Sequence, residues 1–212
     1  MNYAQLSQLI QDYTESTEQS FVANIPNFVQ LAEERIYNTV QIPALRKNVT
    51  GTMTQGFQYF SLPSDWLSTF SLAVIDPTTG EYEYLLNKDV NYIRAAYPPP
   101  NSLGKPAYYA IWNNASMILG PTPNANYTAE LHYFYYPPSI VTNSTSWLGD
   151  NFETVLLYGS LREAYTYLKG EGDMMQNYDT KYQEALALLK RLGDGLDRQD
   201  AYRSGQVRVQ VT

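Results

Sequence analysis

The chain has 212 residues, 44% of them hydrophobic, enough to build a real core as one domain or as one domain with a sizeable insertion. Its net charge of −7 excludes a sequence-specific DNA binder, because phosphate neutralisation needs clustered Lys and Arg. The lack of cysteine excludes disulfides and thiolate metal ligands, and the polar N-terminus and absence of a long apolar run lead us to expect a soluble, cytoplasmically made protein without signal peptide or membrane span.

Apolar residues at Tyr3, Leu6, Ile10 and Tyr13 share one face of a first helix. A second helix is predicted from about Pro26, where proline suits a first turn, to Val40, with Val29, Ala32 and Ile36 on one side. From about Asn48 to Pro137 the pattern changes to short strand-like runs: FQYFSL, TFSLAV, EYEYLL, AYYAIW, SMIL and YTAELHYFYY. Asp76, Pro77, Thr78, Thr79 and Gly80 read as a hairpin loop, and Asn113 and Asn114 as a second. LNKDVNYIRAA reads as a brief helix interrupting the strands. A third long helix is expected to start at Asp150, with Glu153 completing a capping box, and to end at Gly170 and Gly172. Met175, Tyr178, Tyr182, Ala185, Leu189 and Leu192 then follow a 3-4-3-4-3 rhythm that Gly193 is expected to stop.

These elements predict an α+β fold: an antiparallel four-helix bundle with an inserted antiparallel β-domain and an extended C-terminal tail. The expected divisions are N-terminal helices over 1–45, the β-domain over 46–147, a helical hairpin over 148–195 and the tail over 196–212. Tyr165, Tyr167, Tyr178 and Tyr182 are more aromatic surface than one hairpin stripe requires, which makes them candidates for a subunit interface. The tail ends in alternating Val207, Val209 and Val211, the pattern of a strand seeking a sheet.

Groups for catalysis are sparse. His132 is the one histidine and alternates with apolar residues in LHYFYY, so a packed or surface role is expected. Asp65 reads as a turn residue in LPSDWL, Glu81 and Glu83 as a solvated strand face, and GEGD at Gly170 to Asp173 lacks the third glycine of a dinucleotide site. No cofactor and no metal are expected, and an enzyme is not. Exposed Trp66, Trp112 and Trp147 would suit the alternative, a carbohydrate-binding or receptor-binding β-module.

The order of elements resembles the head-to-tail adaptors (tail connectors) of podoviruses, the short-tailed bacteriophages. The likeness is carried by LPSDWL at Leu62 to Leu67, GKPAYYAIWNNASMILGPTP at Gly104 to Pro123, and LHYFYYP before the final hairpin, and it spans essentially the whole chain. It implies a virion protein without catalytic residues, a homo-oligomeric ring, usually of twelve subunits. Such a ring joins the portal protein to the tail nozzle, and viral DNA passes through its channel without sequence-specific binding. The tail would then bind the portal through Arg203, Val207, Arg208, Val209 and Val211, and the loops Asp76 to Gly80 and Asn113 to Asn114 would receive the nozzle.

Overall fold

The computed structural model describes residues 1–76, 79–98 and 102–204, with 194–204 described by backbone alone. The chain divides into two compact units, Met1–Leu45 with Pro137–Thr212, and Arg46–Tyr136.

The first unit is helical. Helix α1, Tyr3–Thr14, opens on a capping box in which Asn2 Oδ1 accepts the Gln5 N–H and Gln5 Oε1 accepts the Asn2 N–H, both at 2.9 Å. It buries Leu6 and Ile10. Helix α2, Gln19–Thr39, starts earlier than proline placement predicts and carries Pro26 inside it. Burial of Phe21 and Ile25 on the same stripe as Val29, Ala32 and Ile36 outweighs the bond that proline removes. A 3-10 turn, Pro43–Leu45, ends this stretch. After the strand-rich unit come α4, Ile140–Asn143, and α5, Trp147–Asn151, capped by Ser146 Oγ accepting the Gly149 N–H at 3.1 Å. Helix α6, Glu153–Leu168, follows a break at Phe152, whose ring stacks on Trp147 at 5.5 Å. The predicted capping box at Asp150 therefore does not form: Asp150 belongs to the preceding helix. Lys169 closes α6 in the left-handed region, and α7 runs Gly172–Ser204.

Among its described residues the second unit holds ten strands and one helix. A first, wholly antiparallel sheet has the order β1 (Arg46–Met53), β10 (Tyr127–Phe134), β3 (Ser68–Ile75), β4 (Tyr82–Tyr84). A second has the order β2 (Tyr59–Ser61), β8 (Ser116–Gly120), β7 (Tyr108–Asn113), β5 (Leu86–Asn87). The pair β6 (Leu103–Gly104) and β9 (Thr122–Pro123) is a third. Alternation along β10 turns Ala129, Leu131 and Tyr133 inward, where they meet Phe60, Met117 and Leu119 of the second sheet in one core. Helix α3, Val90–Ala96, connects β5 to β7, which run parallel and so need a crossover. Its Ile93 packs on Ala110 and Ile118.

The expected antiparallel four-helix bundle with an inserted antiparallel β-domain and extended tail is thus corrected. The fold is mixed α/β, with seven helices and ten strands in three sheets among the described residues. Two ladders, β5 with β7 and β6 with β9, are parallel. Helix α6 packs against α1, α2 and α7, while α1 and α2 meet only briefly, so the long helices gather around one central member. Residues 196–204, expected as extended tail, continue α7. Gly193 does not stop that helix because its role is spatial: a Cβ there would strike the Gln41 carbonyl oxygen.

Candidate assembly surfaces

Tyr178 and Tyr182, two of the four tyrosines expected at a subunit interface, are 3% and 2% exposed and lie in the core of their own unit. Tyr178 meets Tyr165 edge-on at 4.9 Å, with Tyr158 at 6.2 Å and Tyr13 at 6.5 Å. Burial first, and the neighbouring tyrosines second, push the Tyr178 hydroxyl up to about 12, so it stays protonated at neutral pH. The Arg162 guanidinium lies 5.0 Å from the Tyr182 ring centroid. These two side chains fasten α7 to α6. Tyr165 is half-buried, and Tyr167, 45% exposed, rests on Phe28 and Phe21 at 5.3 and 6.3 Å. Only these two of the four present surface.

The hairpin tips are polar. Strands β3 and β4 flank Asp76 to Gly80, where Gly80 takes a φ of 73° and Asp76 Oδ1 accepts the Thr79 N–H at 3.1 Å. Pro77 and Thr78 lie outside the described residues. Lys105 Nζ bonds Glu83 Oε1 at 2.5 Å and lies 3.5 Å from Asp76 Oδ2, tying the base of this loop. Those carboxylates, Glu83 foremost, hold the Lys105 ammonium above its ordinary range. At the β7 to β8 tip, exposed Asn113 accepts the Ala115 N–H at 2.9 Å, and Asn114 is exposed beside it. The side chain of Arg203, and all of Val207, Arg208, Val209 and Val211, lie outside the described residues.

Two of the three carboxylates weighed for catalysis, Asp65 and Glu83, have structural partners. Asp65 receives Lys47 Nζ at 2.7 Å and the Tyr133 hydroxyl at 2.9 Å, which lower its pKa, the lysine bond contributing most. It straps β1 to the Pro63 to Trp66 turn and to β10. His132 lies 4.0 Å from Glu130 and 6.4 Å from the Phe70 ring on the outer face of the first sheet. Trp66 and Trp147 are half-buried, and exposed Trp112 already carries the Arg94 guanidinium on its ring at 4.5 Å. No group of His, Cys, Asp and Glu suited to a metal occurs among the described residues.

Sequence reading missed an aromatic outer face on the first sheet. There Arg46 lies 4.5 Å from the Phe70 ring and 5.6 Å from Phe134, and Phe70 is 48% exposed. The signal was present in β10, where His132 and Phe134 alternate with buried Leu131 and Tyr133, but period-two alternation does not say which face meets the core.

Exposed aromatics such as Phe57, Phe70, Tyr84 and Trp112 on the strand-rich unit and Tyr167 on the helical one give the protein surfaces suited to contact with other proteins. A family model described as SU10 adaptor protein matches residues 1–210, and the chain belongs to that family. No curated protein matches it. The family is that of the phage head-to-tail adaptors, as the resemblance implied, and the chain is a phage structural adaptor and a virion component that contacts other phage structural proteins. No helix among the described residues is long and apolar enough to cross a membrane.

Proposed function

We propose that the protein joins the portal to the tail nozzle as a homo-oligomeric ring, usually of twelve copies in such adaptors, and that the ring lines the channel through which DNA passes. The observation that carries this reading is the adaptor family match over residues 1–210. A net charge of −7 suits a wall past which DNA slides without adhering, since like charges repel at short range. Tyr167, exposed on an aromatic bed, supports a contact between subunits, because tyrosine adds apolar area with a polar tip and little conformational entropy. The polar tips at Asp76 to Gly80 and Asn113 to Asn114 are the proposed nozzle contacts. The role is structural, with no reaction assigned.

Electron microscopy of the purified protein, alone and mixed with portal, tests the reading. A ring, whether free or formed only on portal, is the expected result. A monodisperse monomer indifferent to portal overturns it.

A further inference from the structure

The outer face of the second sheet carries helix α3, whose Ile93 packs on Ala110 and Ile118. The residues on either side of Ile93, Tyr92 and Arg94, point to opposite flanks of the helix, because successive positions turn by about 100°. On one flank the Arg94 guanidinium lies 4.5 Å from the centre of the Trp112 ring, which meets Tyr59 at 5.8 Å. On the other, the Lys88 ammonium lies 5.2 Å from the Tyr92 ring and 5.9 Å from that of Tyr108. Trp112 is 42% exposed, Tyr92 44% and Tyr59 47%, and both cations are exposed.

Backbone and charge both set this face apart. Ile111 pairs with Met117 and Asn113 with Ser116, so Trp112 is the extra residue of a bulge. Bulges re-aim side chains, and this one turns the indole out beside Tyr59. The other lysines of this unit are matched, Lys47 with Asp65 and Lys105 with Glu83 and Asp76. Lys88 and Arg94 lie over aromatic rings and have no ion-paired carboxylate among the described residues. Acids outnumber bases 21 to 14 in this chain, so two unmatched cations on one face leave their donors open to an acidic partner.

Trp, Tyr and Arg are the residues that carry most of the energy in protein interfaces. Here cation–π attraction holds the two cations in place, so little side-chain freedom is lost when a carboxylate arrives. Trp112 directly precedes the Asn113 to Asn114 tip, which makes the face continuous with that loop. A nucleic acid strand needs a longer cationic track than Lys88 and Arg94 provide. A sugar ring would find Trp112 already covered by Arg94.

We propose that this face docks the tail nozzle, whose surface supplies carboxylates to Lys88 and Arg94 and apolar side chains to Tyr59 and Trp112. The inference rests on the reading that the nozzle meets the Asn113 to Asn114 tip, and it extends that contact onto the sheet. Charge sets the approach and orientation, and the rings buried on contact set its lifetime.

DNA-filled heads bearing this protein are mixed with purified nozzle, and attachment is counted by electron microscopy. With the parent protein, attachment should weaken as salt rises. Lys88→Gln with Arg94→Gln, which adds no repulsion, should flatten that salt dependence. Lys88→Glu with Arg94→Glu should weaken attachment about a hundredfold, and Trp112→Ala about thirtyfold. Circular dichroism and ring formation on portal should stay as in the parent. A nozzle carboxylate changed to lysine, selected as a suppressor of the double glutamate variant, should restore attachment. Parent-like attachment by the glutamate and Trp112→Ala variants overturns the docking face and leaves the tip contact standing. Loss of ring formation with unchanged circular dichroism assigns the face to a second copy and overturns the nozzle as its occupant. A single-stranded oligonucleotide that binds the parent and not the glutamate variant assigns it to nucleic acid, with the same consequence. Failure of the parent itself to attach nozzle overturns the inference together with the nozzle reading on which it rests.

Discussion

Glu33 is 3% exposed on α2, a position where a carboxylate is rare without partners. Its Oε1 accepts the Ile140 N–H at 2.9 Å, so it serves the first turn of the short helix α4 from another part of the chain. Burial raises its pKa more than the bonds from Ile140 and Ser139 lower it. A carboxyl that holds its proton more tightly in the fold stabilises fully below the ordinary glutamate range, and this stability is lost as pH rises through the raised value. Glu33→Gln keeps an oxygen for Ile140 and removes the charge. The melting temperature of the variant, relative to the parent, should therefore climb as pH rises from the ordinary glutamate range through the raised value. A difference that stays flat across that range contradicts the account. Glu33→Ala, which leaves the Ile140 N–H unbonded, should cost about 1–3 kcal/mol.

At the scale of elements, small residues let the helices of the first unit approach. Gly159 of α6 lies where a Cβ would meet the Tyr182 ring of α7 at 3.2 Å and the Ala32 methyl of α2 at 3.3 Å. Glycine within a helix costs about 0.5–1 kcal/mol relative to alanine, a cost offset here by the contact of three helices at one point. Gly159→Leu should destabilise the protein by about 1–3 kcal/mol through overpacking, read as a lower denaturation midpoint in urea with an unchanged slope. An unchanged midpoint would show that α7 can move aside without loss. Close packing also moves two helix boundaries away from where local signals place them. Pro26 and Gly193 are stop signals in isolation, yet each sits within a helix because the packed face or the close approach outweighs local propensity.

For the whole molecule, the proposed division of labour puts tail contact on loops of the strand-rich unit. Deleting Pro77 to Thr79 removes most of one tip while keeping Asp76 and its bond to Lys105. Portal binding should remain intact and nozzle attachment should fail, visible by microscopy as DNA-filled heads without complete tails. Complete tails on such particles would place the docking surface elsewhere.

The sequence by itself determined the strand-rich middle, the polar hairpin tips, the helical stripes of α1 and α7, and the arrangement that resembles a phage adaptor. Each depends on short-range periodicity or turn chemistry, which neighbours along the chain encode. Only the tertiary structure decided that α6 is the central helix, that β5 and β7 run parallel around α3, and that the sheets are three. Such pairings join distant segments, and an apolar stripe specifies that it must be covered without specifying by what. The exposure of a side chain depends on the same pairings. Tyr178 and Tyr167 are the same residue type on adjoining helices, yet one fills the core and the other faces solvent. That outcome follows from where α6 and α7 meet, because a tyrosine's place in the stripe is defined only once its partner helix is in position.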